Sequence, residues 1–193
     1  MKTNIFIIAT IFCCLSFACK SKEEEKPTMK IQEETATTED PVAHGKHLVN
    51  SIGCNDCHTP QIITERGMEM DTTRLLSGYP ANEVLPPYDP ETAKSYVLFS
   101  QYGAAIGPWG TSFPANLTPD PSGTGSWTED QFVYAIRHGK YKGMENGRDL
   151  LPPMPWPAFR NLSDYDLKSI FAYLRTIKPV DNVVPSPIPP QAQ

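Results

Sequence analysis

The stretch Cys54-Asn55-Asp56-Cys57-His58 decides how this chain is read. Two thiols separated by two residues, with an imidazole directly after the second, form the pattern of covalent haem attachment. The spacing follows from the chemistry. Each thiol can add across one of the two vinyl groups on neighbouring pyrrole rings, and one turn of chain presents both to the same porphyrin edge. His58 is then carried under the iron, where a ring nitrogen can bind it. Thioredoxin-like redox pairs share the two-residue gap, but they sit in a strand–helix context that the flanking sequence lacks. Zinc would need four ligands, and His44, His47, His58 and His138 show no second metal-binding spacing.

Of the five cysteines, Cys13 and Cys14 fall in an almost wholly apolar run from Ile5 to Phe17. With Lys2 before it and small Ala18 after it, this run reads as a secretory signal covering residues 1–18, too short to span a bilayer. Residues 15–19 (LSFAC) resemble a bacterial lipoprotein signal, in which the cysteine becomes the lipidated first residue. That resemblance implies lipidation of Cys19, a membrane anchor, and a place in the bacterial cell envelope on the periplasmic side or the cell surface. Residues 19–40 read as an acidic flexible tether: from Lys20 onward they hold four lysines and seven acids. Such a segment buries too little apolar surface to offset the entropy of ordering. Cys54 and Cys57 are then the only thiols of the folded part, which excludes a disulfide scaffold.

The remainder of the 193 residues has room for one domain, placed at 41–180, with a proline-rich tail at 181–193. Twenty prolines against twelve glycines predict a loop-rich fold with short helices. A net charge of −5 argues against nucleic acid as a partner and favours a basic docking face on a protein partner. Asp40 as N-cap with Pro41 following predicts a first helix running to about Asn50. Thr128 with Gln131 forms a capping box, Trp127 and Phe132 a hydrophobic staple, and Gly139 a helix end. Leu167, Ile170, Phe171, Leu174 and Ile177 recur at helical spacing after Ser163, and Pro179 stops that helix. Between these lies a proline-rich insert in which residues 96–100 and 104–113 read as a strand pair.

Haem iron held by one histidine can take a methionine, a second histidine or nothing from the protein opposite. Met29 lies in the tether, Met68 and Met70 in a charged loop, and Met144 in a polar turn. Met154 stands in 151–157 (LPPMPWP), where prolines stiffen the backbone and remove donors. Its bland role is to fill a core gap, which methionine does well; beside the haem motif, ligation is favoured. Trp109, Trp127, Trp156, Tyr79 and Tyr102 can donate to haem propionates, although such aromatics more often build cores.

Gly45 in the first helix, the CxxCH box, a methionine loop and an aromatic-bearing last helix together resemble class I cytochromes c. The resemblance implies an all-α fold of short helices around one covalent haem c, with a long insert able to hold a β-hairpin. It also implies axial ligation by His58 and Met154, and a meeting of the first and last helices in which Gly45 faces Tyr173 or Phe171. Residues 115–127 (ANLTPDPSGTGSW) and 151–180 are similar to segments in cytochrome subunits of periplasmic alcohol, aldehyde and gluconate dehydrogenases. The resemblance spans about 42–185. Those subunits carry several CxxCH boxes, and this chain carries one.

The expectation is a membrane-tethered monohaem one-electron carrier rather than an enzyme, since iron with protein ligands on both faces leaves no place for substrate. Its partners would be a redox donor and a redox acceptor. Two alternatives stay open: an electron-relay subunit of a dehydrogenase complex, and a haem-based sensor with a labile sixth ligand.

Overall fold

The computed structural model describes residues 40–190. The signal 1–18, lipidation at Cys19, Met29, the tether before Asp40 and residues 191–193 lie outside the described residues. Helix α1 spans Pro41–Ser51, with the Asp40 carboxylate accepting from the Val42 amide at 3.0 Å. Ile52 and Gly53 turn the chain at once into α2, Cys54–His58. Gly53 has φ 82°, a left-handed conformation that a side chain would resist, so the abrupt entry to α2 depends on glycine.

Strands β1 (Gln61–Thr64) and β2 (Gly67–Met70) form an antiparallel hairpin where the sequence suggests a charged loop. Its residues Ile63, Met68 and Met70 share one face and are 72, 59 and 44% exposed. The hairpin stands off the core, so no alternation of burial marks it in sequence. After the one-turn α3 (Pro90–Ala93), strands β3 (Leu98–Phe99), β4 (Ala105–Gly107) and β5 (Gly110–Ser112) make an antiparallel sheet in that order. The two runs expected to pair do so, and the second also folds back on itself to give two strands. No described helix occupies residues 94–128, and from Pro108 onward the prolines oppose one.

Helix α4 (Glu129–His138) carries the complete Thr128–Gln131 capping box and ends at Gly139. The short α5 (Trp156–Phe159) leads to α6 (Asp164–Leu174), which Ser163 caps in a second reciprocal box with Asp166. α6 ends a turn before Pro179. The Thr176 hydroxyl and amide both turn back to the Tyr173 carbonyl, each at 2.8 Å. A β-branched residue with a competing hydroxyl is a weak helix former, which accounts for the early stop. Ile177 nonetheless still packs on the core.

The core sits where α1, α4 and α6 converge. Val49, Phe132, Ile136, Leu167, Ile170, Phe171 and Leu174 meet there with Leu76 from the insert, and Phe132 stacks on Phe171 with centroids 5.3 Å apart. A Cβ on Gly45 would overlap the Ser169 carbonyl, so the small residue lets two backbones touch. What presses on Gly45 is thus α6 backbone, where the sequence resemblance offered an aromatic ring.

The proline-rich stretch beginning at residue 181 is extended and laid against the body. Asn182 donates to the Ser77 and Tyr79 carbonyls at 2.7 and 2.9 Å and accepts from the Ala81 amide at 2.8 Å. Ile188 and Thr111 exchange two backbone hydrogen bonds. Among the described residues, no helix is long and apolar enough to cross a membrane.

Candidate functional site

Cys54, Cys57 and His58 project from a single turn, α2, and all three line one cavity of about 210 Å³. The far wall comes from elsewhere in the chain. Phe132 and Ile136 arrive from α4, Leu167, Ile170 and Leu174 from α6, and Met154 from the segment before α5. Polar groups on this wall are few, so the cavity can take a large apolar ring system.

The Nδ1 atom of His58 lies 2.8 Å from the Ala115 carbonyl oxygen, which can only accept, so Nδ1 carries the proton. Burial lowers the pKa of the ring, and the hydrogen bond to Ala115 opposes this only in part. His58 is therefore a neutral imidazole with an oriented lone pair on Nε2, the form in which histidine binds metal.

The Ala115 carbonyl is itself held from several directions. Tyr79 N–H donates to Pro114 O at 3.0 Å and Leu117 N–H to Leu76 O at 2.8 Å. Asn116 is buried, and its Nδ2 donates to Val180 O at 2.8 Å. Its Oδ1 accepts from both the amide and the hydroxyl of Thr118, at 2.9 and 2.7 Å. The stretch 115–127 thus folds on its own side chains and presents one carbonyl to one histidine. Gly78 N–H also donates to His58 O at 2.8 Å, and the Thr59 hydroxyl links Leu76 N–H to Asn55 Oδ1.

Both thiols are free. Burial, with Asp56 nearby, pushes Cys54 up to about 11 and also raises Cys57. A disulfide-exchange pair needs a thiol of lowered pKa, and these two are shifted the opposite way. Among the described residues, no three His, Cys, Asp or Glu side chains gather as a metal cluster. The donor set is two thiols, one neutral imidazole and one thioether around an apolar cradle, and it fits a covalently attached haem.

Met154 is partly buried, packs on the core and lines the cavity. Met68, Met70 and Met144 are 59, 44 and 55% exposed and do not. The segment carrying Met154 is anchored by the Ser112 hydroxyl, which donates to Pro152 O at 2.5 Å and accepts from Trp109 Nε1 at 3.3 Å. Of the aromatics considered as propionate donors, Trp127 reaches the cavity wall, whereas Trp109, Trp156, Tyr79 and Tyr102 do not. Tyr141, Arg148 and Pro187 also line the wall, and nothing in the sequence marked them for it.

No family model matches the chain. It is similar over 86 residues, at 42% identity, to the cytochrome subunit of fructose dehydrogenase from Gluconobacter japonicus, covering 44% of this chain and 17% of that one. Over 88 residues it is 39% identical to the cytochrome c subunit of gluconate 2-dehydrogenase from Pantoea cypripedii, covering 42% and 19%. The cytochrome c subunit of the quinone-dependent alcohol dehydrogenase from Gluconacetobacter polyoxogenes is 40% identical over 75 residues, covering 38% and 15%. The chain spans less than a fifth of the length of these curated relatives.

Proposed function

We propose that this chain is a monohaem c-type cytochrome with a class I fold, a one-electron carrier whose iron is held by His58 and Met154. The observation that carries the reading is that Cys54, Cys57, His58 and Met154 line one apolar cavity. Similarity to subunits named as dehydrogenase cytochromes supports it. A bound haem would supply a reversible iron(III)/iron(II) couple. The residues have distinct tasks around it. Cys54 and Cys57 anchor the ring through thioether bonds. His58 binds through Nε2, and its Nδ1–H on the Ala115 carbonyl raises its donor strength. Met154 would supply a thioether to the iron, and thioether ligation raises the potential relative to a second histidine. The apolar wall would shield a bound haem from water, and such burial tunes the potential of the iron.

In the same proposal Cys19 carries the lipid and the acidic tether holds the domain at the bacterial cell envelope, where redox proteins dock transiently. The relatives are named as dehydrogenase subunits, which favours one second reading, a relay subunit within such a complex. Co-purification of a dehydrogenase with the native protein would select it.

The test is the visible spectrum of matured protein, oxidised and reduced, with and without carbon monoxide. Wild type is expected to ignore carbon monoxide and Met154→Ala to bind it. Ready binding by wild type would put a haem sensor ahead of a carrier, and a protein without covalent haem would end the reading altogether.

A further inference from the structure

We propose that Arg148, stacked on Tyr141, is the cation that receives a haem propionate at the rim of the cavity. The inference rests on the haem reading above. Haem carries two carboxylates, which an apolar cavity accepts only at its rim, where water or a protein donor compensates their charge. Arg148 is the one permanently charged side chain on the wall among the described residues, and its exposure puts it at the rim.

Its state suits that task. The guanidinium carbon lies 3.8 Å from the Tyr141 ring centroid, so the cation rests over the ring. Nη1 donates to the Asp149 carbonyl at 3.0 Å, and no carboxylate pairs with Arg148 among the described residues. The adjacent Asp149 carboxylate is taken instead by Lys140 at 2.7 Å. A planar fork with unused donors, which matches carboxylate geometry, is therefore fixed beside a space with no other cation among the described residues. The support beneath it is rigid: Tyr141 N–H donates to Arg148 O at 2.9 Å and Leu150 N–H to Gly139 O at 2.7 Å. Arg148 thus joins the end of α4 to the segment carrying Met154. Lys142, whose ammonium is 5.5 Å from the same Tyr141 centroid, does not line the cavity and serves as a control.

The experiment is a spectroelectrochemical titration of the haem-loaded protein, with the vibrational band of the haem carboxylates recorded beside it. Arg148→Gln is expected to lower the midpoint potential, because an uncompensated carboxylate favours ferric iron, and to move the carboxylate band. Lys142→Gln should leave both near wild type. Equal potential shifts in the two variants would reduce Arg148 to a distant charge and overturn the proposal, as would an unmoved band. If Arg148→Gln does not mature, Arg148→Lys carries the test. It keeps the charge and loses the fork, so the band should move while the potential stays near wild type, and an unchanged band overturns the assignment. A wild-type protein lacking covalent haem would instead overturn the reading on which this one stands.

Discussion

Asn116 shows how much one buried amide can organise. Its two ends engage Thr118, Ser122 and Val180, so it ties the loop that presents the Ala115 carbonyl to the chain leaving α6. Replacing it by alanine leaves buried acceptors and donors without partners, each costing about 1–3 kcal/mol. Asn116→Ala is therefore expected to lower stability by about 2 kcal/mol or more. It should also loosen His58, seen as a weaker axial-ligand band in the loaded protein. Urea unfolding of wild type and variant checks the first part, and an unchanged midpoint would contradict it. Asn161 is exposed and its Nδ2 donates to the Pro157 and Ala158 carbonyls at 3.2 and 3.1 Å, so the same change there should cost less, about 1 kcal/mol.

At the scale of elements, the junction of α1 and α6 is the structural hinge of the site, because α2 hangs directly from the end of α1. Gly45 sets how closely the two helices approach, and any Cβ there must push against α6 backbone. Gly45→Ala is expected to destabilise by about 1–3 kcal/mol, as overpacking does, despite alanine's better helix propensity. A variant more stable than wild type in thermal unfolding would show that the contact yields. The same junction is pinned by His44, whose Nε2 lies 2.7 Å from Asp166 Oδ1. Burial alone would raise the Asp166 pKa, but hydrogen bonds from His44 and Ser163 outweigh it and hold the carboxyl below its usual value. A depressed carboxylate pKa contributes stability that is present above the unfolded-state value, about 3.9, and is lost as pH falls through the folded value. Asp166→Asn should therefore cost stability at pH 6 and progressively less below about pH 4. Denaturant titrations across that range read it directly, and a gap that stays constant with pH would refute the linkage.

For the whole molecule, the extended chain after α6 matters more than its composition suggests. It runs back over the insert, fills the acceptors at Ser77 and Tyr79 through Asn182, pairs with β5 at Thr111, and puts Pro187 on the cavity wall. Truncation after Val180 strips all of these at once. The expected outcome is a lower unfolding midpoint together with faster cyanide binding by the oxidised, haem-loaded protein. Rates equal to wild type would mean that the cavity is sealed without the strap.

Local chemistry made part of this protein legible from its sequence alone. The CxxCH box, the Asp40 and Ser163 caps and the Thr128–Gln131 box each act between residues within one turn, so spacing alone reports them. Met154 stood out because prolines around it stiffen a short apolar run. The tertiary structure alone decided the rest. His58 takes its carbonyl from a residue 57 positions away, and Asn182 reaches one 105 positions away. Nothing in the sequence singled out Arg148, the β1–β2 hairpin read as a charged loop, and the proline-rich tail gave no sign of where it would dock. Contacts over such separations leave no periodic trace, because each depends on where the chain returns and not on what lies beside it in sequence. Residue order specified which groups have the chemistry to bind a haem, and packing determined which of them share one cavity.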